Sequence, residues 1–217
     1  VSSVQKELFK LGVKKGTIVA GFVPNCAETV ISMLAVSSLG GVWTSCSPDF
    51  GANGVVDRFG QVDPHILITS NGYSYNGKIF KLEEKVNGVL DSIDSIQHII
   101  EIEYVDIKSN FNHDSIISFG DILSDEQTQP TFEQLPFDHP LFIMYSSGTT
   151  GPPKSIVHSA GGTLIQHMKE HQLHCDIKAG KSKMFWFTTC GWMMWNWLVS
   201  GLSSGSTIVL YDGSPSY

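Results

Sequence analysis

Long apolar runs are missing from this chain of 217 residues, and so are basic clusters and cysteine pairs. No run reaches the ~18 apolar residues of a membrane helix, and the most apolar stretch, 192–199, is broken by Asn196, so no membrane insertion is expected. Charged residues make up only 16%, with 14 Lys and Arg against 21 Asp and Glu, a net charge of −7. No basic patch stands out, which argues against nucleic acid and anionic membranes as partners. The four cysteines, Cys26, Cys46, Cys175 and Cys190, show no C-x-x-C spacing. They fit reduced thiols of a cytoplasmic protein better than a disulfide framework. No basic segment followed by an apolar core opens the chain at Val1, and both ends look cut from something longer.

What is there is a hydrophobic content of 41% with regular alternation of element types. Apolar spacing predicts helices over 4–11, 27–39, 54–61, 78–93, 161–175 and 192–202, with a short one at 120–123. Strands are expected over 17–22, 42–44, 65–69, 98–105, 141–145, 155–158, 183–188 and 206–211. Apolar strands alternating with helices predict the α/β class, with layered sheets covered by helices on both faces. Residues 1–107 read as a first α/β segment and 108–136 as a polar connection. Residues 137–217 read as a second segment of an incomplete domain.

One string organises the chemistry: Ser146-Ser147-Gly148-Thr149-Thr150-Gly151-Pro152-Pro153-Lys154-Ser155, between two strand-like runs. Small residues let backbone N–H groups approach a polyanion, hydroxyls add donors, and Lys154 adds a positive point charge. This is the chemistry of a phosphate clamp for ATP. Walker A would place glycine where Pro153 stands and would open into a helix. Here a strand follows, so a β-hairpin tip is expected, mobile until ATP arrives. The bland alternative is a Ser/Gly/Thr surface turn.

The string resembles the signature loop of acyl-adenylate-forming enzymes, [YF]-[TS]-S-G-[ST]-T-G-x-P-K-G, and departs from it with Ser155 in place of the last glycine. Residues 21–25, 47–51, 57–59, 75–78, 157–164 and 191–197 are similar to the acetoacetate-activating branch of the acyl-CoA synthetases. The resemblance implies a ligase that joins acetoacetate to CoA at the expense of ATP, with Mg²⁺ as the metal. It implies phosphate contacts from Ser146, Ser147, Gly148, Thr149, Thr150, Gly151 and Lys154, the last also catalytic. Thr149 or Thr150 would meet the Mg²⁺ of MgATP.

Acetate-activating relatives carry Gly-Trp-Val-Thr-Gly-His where this chain has residues 191–196. By that match Trp192, Met193 and Met194 border the acyl pocket, and methionine suits a short acid larger than acetate. The alternative for this Trp/Met-rich helix is plain core. Lys78 matches a basic position near the CoA nucleotide, or is a solvated lysine at a helix start. Asp57-Arg58 reads as a structural pair, and His158 as a strand histidine hydrogen-bonded in place. In the family the adenine and ribose contacts, the acidic metal ligand and the carboxylate-binding lysine come later, so this segment alone is expected to be inactive.

His167-Met168-Lys169-Glu170-His171 fits H-x-x-E-H, with His174 one turn further. No separate carboxylate offers a third ligand, so no zinc site is assigned and exposed helix histidines are expected.

Overall fold

The computed structural model describes residues 1–124, 128–146 and 151–216. Helix α1 (Ser2–Lys10) buries Val4 and Leu8, one turn apart, and leads to strand β1 (Ile18–Phe22). Then follow α2 (Ala27–Ser38), β2 (Val42–Cys46), α3 (Ala52–Phe59) and β3 (Ile66–Ser70). A small hairpin, β4 (Gly72–Tyr75) and β5 (Lys78–Lys81), precedes α4 (Glu83–Leu90) and β6 (His98–Ile102). Next come β7 (Ile116–Ser118), α5 (Phe119–Ile122), β8 (Pro140–Ser146), β9 (Lys154–Ser159) and α6 (Ala160–Lys169). The last elements are β10 (Lys183–Phe185), α7 (Met193–Ser200) and β11 (Thr207–Val209).

Among the described residues seven strands form one sheet in the order β7-β6-β3-β1-β2-β8-β9. Its pairs are parallel except β8–β9, which is antiparallel. Alternate strand residues feed two cores. Val19, Trp43, Ile66, Ile68, Ile100 and Phe142 meet α1, α2 and α7 on one face. Ala20, Phe22, Cys46, Leu67 and Ile99 meet α3 and α4 on the other. Helices therefore cover both faces, as the apolar strands require. Strands from both sides of 108–136 share this sheet, and that stretch itself supplies β7 and α5.

Four local expectations need correction. The helix expected over 78–93 is instead β5 followed by α4. Asn76 and Gly77 have φ of 51° and 71°, the left-handed pair of a two-residue hairpin turn, and Tyr73 stacks on Phe80 at 5.2 Å. The strand expected over 98–105 stops at Ile102. There the Asn71 side chain captures the backbone of Tyr104, Val105 and Ile107. The helix expected over 161–175 is α-helical only to Lys169 and continues as a π-turn, Glu170–His174. Asp57 and Arg58 form no ion pair among the described residues. Arg58 instead donates to Gly54 O at 2.6 Å and lies over the Phe50 ring.

Candidate functional site

The clamp string sits where β8 turns back into β9. The ladder pairs Tyr145 with Ser155 and ends at Ser146 with Lys154. Ser146 and Lys154 therefore stand at the base of the connection, and Gly151 and Lys154 are exposed. Ser147, Gly148, Thr149 and Thr150 lie outside the described residues, and with them the expected mobile tip and the Mg²⁺ contact.

The incoming strand is fixed from two sides. Tyr145 Oη lies 3.0 Å from Thr44 Oγ1, and the Arg58 guanidinium lies 6.0 Å from the Tyr145 ring. Burial raises the phenol's pKa, so Tyr145 stays a neutral hydrogen-bonding group. The outgoing strand is held by a residue that sequence reasoning missed, Gln61, just past α3. Its Nε2 donates to Pro153 O at 2.8 Å, and its Oε1 accepts from Ser155 Oγ at 2.8 Å. Nothing local signals this, because the partners are 92 and 94 residues apart in sequence.

Next to β9 lies a groove of about 400 Å³ lined by His158, Thr163, His167, Glu170 and Met193 among others. Met193 opens α7 from Trp192, which is 60% exposed, while Met194 is half-buried. Of these three only Met193 lines the groove. Trp195 is core, with its Nε1 donating to Asn25 Oδ1 at 2.9 Å. Contrary to the hydrogen-bonded strand histidine expected, the His158 side chain makes no hydrogen bond among the described residues; its ring leans on Phe142 at 5.1 Å, and burial lowers its pKa. A groove of about 710 Å³ lies elsewhere, around Glu101, Glu103, Asp106 and Lys108, and includes none of the clamp residues. Lys78 is exposed on β5, opposite Tyr75, and not at a helix start.

His167 and His171 are buried, contrary to the exposed histidines expected. Both rings reach the Ser200 hydroxyl, at 2.8 and 3.0 Å, and Ser200 Oγ donates to Trp197 O at 2.7 Å. With its one proton so used, Ser200 can only accept, which places N–H on His167 Nδ1 and His171 Nε2. Burial, reinforced by His171, holds the His167 pKa down at about 4. Among the described residues no group of three His, Cys, Asp or Glu is arranged to hold a metal ion.

A family model described as AMP-binding enzyme matches residues 3–217. The chain is 49% identical over 216 residues to acetoacetyl-coenzyme A synthetase of Rhizobium meliloti (strain 1021), covering 99% of this chain and 33% of that one. It is 48% identical over 213 residues to acetoacetyl-CoA synthetase of Mus musculus, covering 95% and 32%. The solved acetoacetyl-CoA synthetase of Streptomyces lividans superposes with a TM-score of 0.93 at 46% identity, covering 99% of this chain and 32% of that one. The chain thus spans about a third of the length of these relatives. With the clamp string at a hairpin base and the family match running through nearly every residue, the chain belongs to the AMP-binding enzymes.

Proposed function

We propose that this chain is the phosphate-clamp portion of an AMP-forming acid–thiol ligase that converts acetoacetate, ATP and CoA to acetoacetyl-CoA, AMP and pyrophosphate. The observation that carries the reading is the clamp string on the β8–β9 hairpin, in a chain nearly half identical to acetoacetyl-CoA synthetases. On this reading 137–217 is the clamp-bearing segment, 1–107 the frame beside it, and 108–136 the connection.

In the first half-reaction a carboxylate oxygen bonds to the α-phosphorus of ATP and the bond to pyrophosphate breaks. Both reactants are anions. At ~4 Å and an effective dielectric of ~20, two unit charges repel by roughly 4 kcal/mol. The Lys154 ammonium would offset part of that and stabilise charge moving onto the leaving pyrophosphate, a role its exposure at the loop's base supports. The hydroxyls and N–H groups of 146–151 suit phosphate oxygens. Mg²⁺ would be held with ATP, where the Thr149 or Thr150 hydroxyl could meet it. In the second half-reaction the CoA sulfur bonds to the acyl carbon, AMP leaves, and the thiol proton passes to solvent. Met193 at the groove beside β9 is the residue best placed to shape an acyl pocket, and Lys78 on its exposed hairpin suits a CoA phosphate.

No helix among the described residues is long and apolar enough to cross a membrane. The four free cysteines, three of them buried, fit a reducing cytoplasmic setting.

The test is pyrophosphate release by the full-length protein, with acetoacetate, with acetate and with neither. Release that depends on acetoacetate is expected. Preference for acetate by kcat/KM would make the protein an acetate-activating relative, and ATP binding without acid-dependent release would make it a non-catalytic nucleotide binder. Lys154→Ala should slow release by about ten- to a hundredfold, the scale of one charge-assisted contact.

A further inference from the structure

Ser155, where this chain departs from the family loop pattern, is tied to a side chain far outside that loop. Gln61 bonds both neighbours of Lys154: it donates to Pro153 O and accepts from Ser155 Oγ, each at 2.8 Å. The same Nε2 donates to Asp57 O at 2.5 Å, a carbonyl in the last turn of α3. Three partners fix the amide's orientation. Both of its hydrogens face carbonyl oxygens and its oxygen faces a hydroxyl, whereas a flipped amide would set oxygen against two oxygens. Behind it α3 is anchored by Val55 and Phe59, both fully buried in the core.

The strand ladder holds Lys154 from one side only. It ends at the Ser146–Lys154 pair, and Pro153 beyond it has no N–H to contribute. Two hydrogen bonds from one amide therefore bracket the lysine where regular pairing runs out. A glycine at 155, as in the wider pattern, would lose one of them.

We infer that Gln61, latched by Ser155, is a positioning residue for Lys154, fixing the backbone from which the ammonium reaches the departing pyrophosphate. This rests on the clamp reading above. Such a residue acts on the step in which pyrophosphate leaves and not on the transfer to CoA.

The experiment uses the full-length enzyme and measures the two half-reactions separately. ATP–pyrophosphate exchange with acetoacetate reports adenylation, and thioester formation from pre-formed acetoacetyl-adenylate reports transfer. For Gln61→Ala, the kcat of exchange should fall about five- to twentyfold, the scale of two ordinary hydrogen bonds. KM for ATP should move less, and the transfer rate and the thermal midpoint should hold. Ser155→Ala should show a smaller fall, Ser155→Thr should recover most of the rate by restoring the hydroxyl, and Gln61→Ala with Ser155→Ala should be no worse than Gln61→Ala. Unchanged exchange in Gln61→Ala overturns the inference, as does additivity in the double variant. Equal losses in both half-reactions with a lowered midpoint also overturn it, leaving Gln61 a structural residue. Lys154→Ala separates the two levels: if it slows exchange while Gln61→Ala does not, only the latch fails. If Lys154→Ala has no effect, the clamp reading itself fails.

Discussion

Replacing Ser200 with alanine should loosen the packing of α6 on α7. The hydroxyl accepts two ring N–H groups, at 2.8 and 3.0 Å, and passes its own proton to Trp197 O at 2.7 Å. His167 is 6% exposed and His171 fully buried, so bulk water cannot take over as acceptor for both. Among the described residues His171 Nδ1 is buried with no hydrogen-bond partner, so loss of the Ser200 bond at Nε2 takes away the ring's main hydrogen bond. An unmet buried donor costs roughly 1–3 kcal/mol, so two donors set an upper range of about 2–6 kcal/mol. His167 borders the groove and can recover some hydration, which brings the expectation to about 2–4 kcal/mol. Hydrogen exchange in the full-length protein reads this locally. Amides of α6, the π-turn and α7 should lose protection by about thirty- to a thousandfold, while β1 and β3 keep theirs. Ser200→Thr retains the hydroxyl and should stay close to the parent. Adding His171→Phe to Ser200→Ala should cost less than the sum of the two, because an apolar ring needs no acceptor. Unchanged protection in Ser200→Ala would refute the reasoning, showing that the rings have another acceptor.

Gly21→Ala should destabilise by about 3 kcal/mol in chemical denaturation, because a Cβ there would stand 2.6 Å from Trp43 Cζ2. Trp43 cannot move aside: it is 1% exposed, and its Nε1 donates to Ser45 Oγ, which donates on to Cys190 O. Acid should also destabilise the fold. His167 titrates at about 4 when folded and near 6.5 when unfolded, so between those values the unfolded chain binds the extra proton. Its contribution, on the order of 2 kcal/mol, is complete above about 6.5 and is lost as pH falls through 4; flat stability across that window would count against the burial seen here. Met193→Val should lower kcat/KM for acetoacetate relative to acetate by about tenfold, and an unchanged ratio would remove Met193 from the acyl pocket.

The β8–β9 hairpin was legible because both flanks carry β-type residues and the turn composition between them is strong. The β4–β5 hairpin carried an equally good signal in Asn76-Gly77. Its strands are only four residues each and all of β5 is exposed, so no alternation marked Lys78 to Lys81 as extended. The His167 and His171 spacing was legible, but their burial was not. It depends on Ser200, 33 and 29 residues away. Gln61 was illegible for the same reason, since a glutamine after a helix reads as solvent-facing until the strand that meets it is placed.

The strand order has a consequence for how the chain is made. Among the described strands of this sheet, β1 leaves the ribosome before the others and ends at the centre, β2 joins one edge, and β3, β6 and β7 extend the other. None of the described strands has to part an existing pair, so this part of the sheet can grow while translation continues at about 5–20 residues per second. Of these strands the β8–β9 hairpin emerges last, and it docks on β2 across a gap of about 100 residues, against about ten within the hairpin. The entropy of closing the longer loop is greater by about 2 kcal/mol, so the hairpin should form before it docks. Nascent chains arrested at successive lengths should acquire protease resistance over residues 18–102 before residue 140 emerges. Resistance appearing only once β9 is out would show that the sheet forms as a single unit.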